Sequence, residues 1–213
     1  MQGIDFYKFA ISYFYIYRNF WILYMEKNLK QVNSSCIKIV LFGPESSGKT
    51  TLAKELSKYY NCLWVEEFAR GYLQKKWDKE KKACELSDIM VIAEGQMRLE
   101  NNIANKSTKI FFCDTDLLET MVYSQKYFDG YCNPKLKKYA IENSYSLYLL
   151  TDIDVPWEKD DLRDRPKRRQ EMFQAFKTAL VKNKKSFILV SGSLKQRLET
   201  CIFEINKLIK SQK

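Results

Sequence analysis

Histidine is absent from this sequence of 213 residues. Its absence excludes histidine acid–base catalysis, Ser–His and Cys–His nucleophile pairs, and every zinc site that uses an imidazole ligand. Closely paired cysteines are missing as well, since the six cysteines are scattered and none belongs to a C-x-x-C pair. We therefore expect no metal–thiolate centre, and we expect reduced core cysteines in a cytoplasmic protein.

Long uninterrupted apolar runs are also lacking. Residues 1–24 are almost half aromatic, yet nothing in them approaches the ~20 consecutive apolar residues of a membrane span. The stretch is interrupted by Asp5, Lys8, Arg18 and Asn19. A basic segment and a cleavage site for secretion are missing too. We interpret residues 1–35 as an aromatic-rich extension, with Met25 as an alternative initiator. The other interpretation is an amphipathic helix that docks on the domain or on a membrane interface.

The composition is that of a folded domain. Hydrophobic residues make up 46% and charged residues 29% of the chain, which excludes a disordered protein. The length favours a single domain, or at most one domain with an appendage. Lys and Arg number 36 against 26 Asp and Glu, and the net charge of +10 is compatible with nucleic acid, an anionic membrane or phosphorylated small molecules.

From Cys36 onward, short apolar runs alternate with longer amphipathic ones, which is typical of a parallel sheet with crossover helices. The predicted strands are Ile37–Phe42, Leu63–Val65, Lys109–Cys113, Ser146–Leu150 and Phe187–Val190. The predicted helices are Lys49–Tyr60, Glu67–Lys75, Leu86–Ile103, one that begins at Leu117, Arg169–Val181 and Leu194–Ile209. The pattern predicts a doubly wound α/β domain over residues 36–213, with a mainly parallel five-stranded sheet and ligands at the carboxyl ends of its strands.

A phosphate-binding loop directly follows the first predicted strand. The residues that match G-x-x-x-x-G-K-[ST] are Gly43, Pro44, Glu45, Ser46, Ser47, Gly48, Lys49 and Thr50. The glycines allow backbone N–H groups to face phosphate oxygens, and the following helix adds its dipole. Lys49 should reach the β- and γ-phosphates from a solvent-accessible position, and Thr50 should offer its hydroxyl to Mg²⁺. The motif predicts a nucleoside triphosphate site.

Two aspartates follow the third predicted strand. Asp114 stands where the acidic residue of a phosphate-loop protein holds the magnesium shell, and it is a candidate metal ligand and catalytic residue. Asp116 is a candidate substrate contact, with the N-cap of the helix that begins at Leu117 as the alternative.

Glu67 and Arg70 are three residues apart, after the second predicted strand. On one face of a helix at the ligand edge, Glu67 could accept the proton of a substrate hydroxyl and Arg70 could bind phosphate. The alternative is an ordinary surface ion pair. The residues do not decide between Glu67 and Asp114 as the general base.

A polar segment over 157–169 separates the fourth predicted strand from the next helix. It carries Arg163, Arg165, Arg168 and Arg169. The composition predicts a mobile lid whose arginines neutralise the transferred phosphate and exclude water. Aspartates alternate with these arginines, which disfavours a continuous nucleic-acid track, so no nucleic-acid partner is expected.

From about Ile37 to near the C-terminus, the chain resembles NadR-type ribosylnicotinamide kinase domains of the P-loop superfamily. The resemblance lies in the order and spacing of five segments: FGPESSGKTTL, EEFARGYL, AEGQ, FFCDTD and DVPWEKDDLRDRPKRRQEMFQAF. The resemblance implies transfer of the ATP γ-phosphate to the 5′-hydroxyl of nicotinamide riboside, in NAD salvage. It implies ATP phosphates at residues 43–51, including Thr51, and Mg²⁺ near Thr50 and Asp114. It further implies riboside contacts around Glu67, Arg70 and Gln96, and lid arginines Arg163 and Arg168. Because the nucleotidyltransferase signature of full NadR proteins needs histidines, no adenylyl transfer is expected from this chain.

Three other functions stay open. The acceptor could be another nucleoside, since the acceptor pocket is what a sequence resolves worst. The protein could be a regulatory nucleotide switch that acts on a protein partner. A guanine-specific switch would carry Asn-Lys-x-Asp where this chain reads Thr151-Asp152-Ile153-Asp154. A nucleic-acid-dependent ATPase would show steeply salt-dependent binding.

Overall fold

The computed structural model describes residues 28–158, 160–162 and 168–211. Its strands are β1 Ile37–Phe42, β2 Trp64–Val65, β3 Ile110–Asp114, β4 Leu147–Thr151 and β5 Phe187–Val190. The helices bounded by these residues are α1 Lys49–Tyr59, α2 Phe68–Glu80, α3 Leu86–Ala104, α4 Leu117–Tyr127, α5 Pro134–Glu142, α6 Arg169–Lys182 and α7 Leu194–Ser211. Within the described chain, no helix is long and apolar enough to span a membrane.

The five strands form one parallel sheet in the order β2-β3-β1-β4-β5. The predicted doubly wound α/β fold with a five-stranded sheet is confirmed. Because β1 is flanked by β3 on one side and β4 on the other, the connections diverge around it. The register pairs Leu41 with Asp114 and Phe42 with Leu150, so three strands end together. A crevice at such a divergence is where doubly wound sheets bind ligands.

Alternation along β1 divides the core into two layers. Val40 and Phe42 face a cluster completed by α3, α4, α5 and α6, whereas Ile39 and Leu41 face a smaller cluster completed by α1 and α7. Successive side chains of a strand point to opposite faces, and burial on both faces explains the unbroken apolar run of β1.

Most strands and helices differ from the predictions by one or two residues at a boundary, whereas α2 ends at Glu80 rather than Lys75. Helix α2 begins at Phe68 rather than Glu67, and Glu67 takes the extended N-cap position. Helix α5 was not predicted. Its sequence signal is the Asn133-Pro134 pair, because the Asn133 side chain accepts a hydrogen bond from the Lys135 N–H at 2.9 Å and proline suits the first helical turn.

The described chain begins upstream of the predicted domain start at residue 36. Leu29 is fully buried in the larger cluster, and the Val32 N–H donates to Asn101 Oδ1 at 3.0 Å. Residues 1–27, which include most of the predicted extension, lie outside the described residues. The six cysteines are all free. Cys36, Cys113 and Cys201 are buried and the other three are half-buried.

Candidate functional site

The phosphate loop lies between β1 and α1, at the carboxyl edge of the sheet. Gly43 has φ 142 and Gly48 has φ 86, backbone conformations that side chains other than glycine rarely adopt. A Cβ at Gly43 would also meet Thr151 Oγ1 at 2.7 Å. Both glycines of the motif are therefore required by the backbone path. The loop forms one wall of a cavity of about 620 Å³, which extends to α2, α3 and α4.

Lys49 is bound inside the loop. Its ammonium donates to the carbonyls of Gly43 at 2.7 Å and Pro44 at 3.1 Å, and it lies 3.1 Å from Glu119 Oε1. Burial opposes the charge of Lys49, but the carboxylates of Glu119 and Glu67 raise its pKa nonetheless. The residue is 7% exposed, so the expectation of a solvent-accessible lysine is wrong. The ammonium is held by acceptors that replace water.

Thr50 and Asp114 form a direct pair. The Thr50 hydroxyl donates to Asp114 Oδ2 at 2.5 Å, and Asp114 Oδ1 is buried with no partner among the described residues. Burial and the nearby Glu67 raise the pKa of Asp114 to about 6. The next residue, Thr115, holds a left-handed φ of 75, a strained conformation that costs ~1–3 kcal/mol. An unpartnered carboxylate oxygen beside a hydroxyl is the hard oxygen set that Mg²⁺ prefers, so these residues fit the ion.

Glu67 and Arg70 line the cavity but do not pair with each other. Glu67 makes no capping hydrogen bond in the described structure, and its charge acts on Lys49, Asp114 and Glu119. Arg70 instead bonds Asp160 Oδ2 at 2.7 Å. The Glu67 carboxylate therefore faces the cavity beside the phosphate loop.

Gln96 lies on α3 against the start of α2. Its Oε1 accepts a hydrogen bond from the Phe68 N–H at 2.8 Å, which fixes the orientation of the amide. Its Nε2 is buried and finds no partner in the ranges described, although Gln96 lines the cavity. A buried donor without an acceptor is costly. This donor is suited to an acceptor atom of a ligand.

Asp116 lies beneath the cavity rather than on its wall. One carboxylate oxygen accepts from the Glu119 N–H at 2.9 Å, and the other accepts from the Tyr148 hydroxyl at 2.8 Å. Burial raises the pKa of this carboxyl to about 7. The structure thus shows the N-cap role that was the alternative for Asp116, and it shows no route from this side chain to a substrate.

The predicted lid is only partly described. Arg163 and Arg165 lie outside the described residues. Arg168 forms two hydrogen bonds of 2.7 Å to Glu171, and it is absent from the cavity lining as far as the described residues define it. Arg169, at the end of the same segment, does reach the phosphate loop, since it donates to the Ser46 carbonyl at 3.1 Å.

Glu119 and Arg197 are site residues that the sequence reasoning missed. Glu119 is 1% exposed and bonds both Lys49 and the Gly43 N–H. Arg197, at the start of α7, donates to the Ser47 carbonyl at 2.7 Å and pairs with Asp154. The signals were weak: a carboxylate three residues after an N-cap aspartate, and a lone arginine beside the apolar stripe of the last helix.

Comparison with known proteins agrees with this geometry. The family described as an AAA domain matches residues 38–197. The trifunctional NAD biosynthesis/regulator proteins NadR of Salmonella typhimurium and Escherichia coli are each 30% identical over 125 residues, a match that covers 59% of this chain and 30% of each relative. The resemblance to NadR-type domains is thereby confirmed for less than a third of those relatives' length.

Solved structures show the same fold. A NadR protein in complex with NR superposes with a TM-score of 0.62 at 20% identity, over 78% of this chain and 47% of the other. The deoxyadenosine kinase from M. mycoides superposes with a TM-score of 0.61 at 16% identity, over 80% of this chain and 100% of the other. The fold is therefore shared between this chain and phosphate-loop nucleoside kinases.

Proposed function

Because this chain belongs to the AAA domain family, we propose that its phosphate loop binds ATP and that it transfers the γ-phosphate to a nucleoside, with the 5′-hydroxyl of nicotinamide riboside as the acceptor. The observation that carries the proposal is the two-sided cavity. One side presents Lys49 and the loop amides, which suit phosphate, and the other presents Glu67 and Gln96, which suit a hydroxyl and a base.

The residues divide the reaction between them. The loop amides and Lys49 neutralise the phosphates of the donor. The acceptor oxygen attacks the γ-phosphorus, the bond from that phosphorus to the β,γ-bridging oxygen breaks, and the hydroxyl proton moves to the Glu67 carboxylate. The products are a nucleoside monophosphate and ADP. Glu67 is better placed for this role than Asp114, because Asp114 is fully buried and is tied to Thr50.

Magnesium would be held by Thr50 and Asp114. When bound, the ion supplies charge neutralisation on the phosphates. Mutual repulsion between Asp114 and Glu67 contributes to the raised pKa of Asp114, and a cation near that carboxyl would relieve the repulsion.

Nicotinamide riboside is supported as the acceptor by similarity to NadR proteins, which are named for NAD biosynthesis, and by the solved NadR complex with NR. The six free cysteines support a reducing, cytoplasmic location. The arginine-rich composition of residues 157–169 supports closure of this segment over the phosphates. Arg163, Arg168 and Arg169 are the candidates to contact the transferred phosphate.

The proposal is tested by ADP release from ATP and Mg²⁺ in the presence of individual acceptors. Nicotinamide riboside should stimulate release far above the acceptor-free rate, and adenosine, cytidine and thymidine should stimulate it less. Preference for one of those nucleosides would keep the kinase and replace its acceptor. Slow hydrolysis that no acceptor changes would favour the regulatory switch.

A further inference from the structure

The Glu119 carboxylate binds two donor groups of the phosphate loop that a bound phosphate would need. Its Oε1 lies 3.1 Å from the Lys49 ammonium, and its Oε2 accepts the Gly43 N–H at 3.2 Å. Both donors belong to the motif that binds phosphate oxygens. Two carbonyls of the loop take further hydrogen bonds from Lys49. The lysine is therefore fully engaged within the protein.

The carboxylate is held in place by its helix. Glu119 is in the first turn of α4, where its backbone N–H donates to Asp116 Oδ1 at 2.9 Å. One turn later, the Tyr123 hydroxyl accepts the Glu45 N–H at 3.1 Å. Helix α4 thus contacts the phosphate loop at two points. This anchoring makes the contact a built feature of the site rather than an incidental surface pair.

The surroundings of Glu119 are unfavourable to its charge. Glu67 and Asp114 act on it electrostatically from the cavity edge and from β3, and Lys49 is the cation that compensates. The negative charge of a triphosphate would add to this group of three carboxylates. A bound triphosphate and the Glu119–Lys49 contact therefore compete for one ammonium.

We propose that Glu119 is a positioning residue that takes the place of a phosphate in the nucleotide-free protein, so that an entering triphosphate must displace its carboxylate from Lys49 and from the Gly43 N–H. The inference rests on the proposed function, because it concerns the same phosphate loop. The contact keeps the loop and lysine ordered without nucleotide, and it lowers nucleotide affinity by the free energy of that displacement.

The test is the affinity of Glu119→Gln for ATP in EDTA, measured by calorimetry at about pH 8.5, above the pKa of about 8 of this carboxyl, so that most of it is ionised. Glutamine keeps the shape but removes the charge. Since a hydrogen bond to a charged group contributes more than a neutral one, the variant should bind ATP about tenfold more tightly than the natural protein. The matched control is Glu199→Gln on the exposed side of α7, which removes the same charge away from the cavity and should leave affinity unchanged.

Unchanged or weaker ATP binding by a folded Glu119→Gln variant would overturn the inference, since a purely structural glutamate would give that result. If glutamine prevents folding, Glu119→Asp replaces it, because the shorter side chain cannot span both donors. Tighter binding is expected there too, and its absence counts against the inference. A natural protein that binds and uses ATP while neither variant gains affinity would contradict this inference alone. Failure of all forms to bind ATP would contradict the proposed function as well.

Discussion

At the scale of single residues, the proposed function makes Lys49 the main side-chain contact of the donor phosphates. Lys49→Met should abolish acceptor-dependent turnover, with kcat reduced by ~10²-fold or more, because no other loop side chain supplies the charge. Lys58→Met is the matched control, because Lys58 is exposed in the last turn of α1 and is not among the described residues that line the cavity. Steady-state kinetics with circular dichroism checks both variants. Normal activity in Lys49→Met would contradict the assignment of the phosphate loop.

The assignment of Glu67 as the general base makes a separate prediction. Glu67→Gln should lower kcat by ~10²–10⁴-fold while KM for the acceptor changes little, because the amide keeps the shape but cannot accept the proton. The measurement is a full titration of acceptor at saturating ATP. A rise in KM with unchanged kcat would make Glu67 a binding residue and return the base to Asp114.

The buried carboxyl of Glu119 predicts a pH effect on stability. Burial and the charges of Glu67 and Asp114 raise its pKa to about 8, against the opposing charge of Lys49. An acid with a raised folded pKa binds more protons when folded, so its contribution to stability is lost as the pH rises from its unfolded value towards that folded pKa. The free energy of unfolding should therefore fall more steeply from pH ~5 to ~8 in the natural protein than in Glu119→Gln, by at most ~1.4 kcal/mol per pH unit. Urea unfolding at both pH values measures this, and parallel profiles would refute it.

The positions of single site residues were predictable where a sequence motif specifies both the residue types and their spacing. The phosphate loop and the Asp114 position belong to this class, because the loop follows a strand and the acidic residue ends the neighbouring one. Glu119 could not be found in this way, because its contact with Lys49 depends on how α4 is set against the loop. The exposure of Lys49 was mispredicted for the same reason.

At the scale of elements, the packing of α2 on α3 shapes the side of the cavity where we propose that the acceptor binds. A Cβ at Gly95 would overlap the Phe68 ring, so Gly95→Ala must displace that ring and disturb the hydrogen bond from the Phe68 N–H to Gln96. We expect a loss of ~1–3 kcal/mol in unfolding free energy and a raised KM for the acceptor. Gly71→Ala is the control: nothing lies within 4 Å of a Cβ there, and this exposed helical site should gain ~0.5–1 kcal/mol. Equal behaviour of the two variants would contradict the predicted role of this contact.

The elements themselves were largely predictable, because strands buried on both faces are apolar throughout and the helices carry regular stripes. Helix α5 was not predicted, because it is only 9 residues long and the Asn-Pro pair at its start is its main sequence signal. The predicted start of α2 was one residue too early, so Glu67 takes the N-cap position and does not lie on a helical face. Arg70 pairs with Asp160 instead of Glu67, a contact between distant parts of the chain that local spacing does not reveal.

For the whole molecule, the order of the strands determines where the chemistry is located. Divergence of the chain around β1 brings the ends of β1, β3 and β4 together, and these ends carry the phosphate loop, Asp114 and Thr151. This convergence follows from the alternation of strands and helices in the sequence. The residues alone left the acceptor open, because Gln96 and Glu67 lie on separate elements and line one cavity only after folding. Nicotinamide riboside as the acceptor rested on the family resemblance. The role of residues 1–27 stays a prediction.

The proposed transfer of phosphate to nicotinamide riboside is tested most directly by following the γ-phosphate of ATP. Purified protein would be incubated with γ-labelled ATP, Mg²⁺ and nicotinamide riboside, and the products would be separated and identified by mass. A riboside kinase would place the label in nicotinamide mononucleotide in equal amount to the ADP formed. Label recovered only as inorganic phosphate, with the riboside unchanged, would contradict the proposed transfer.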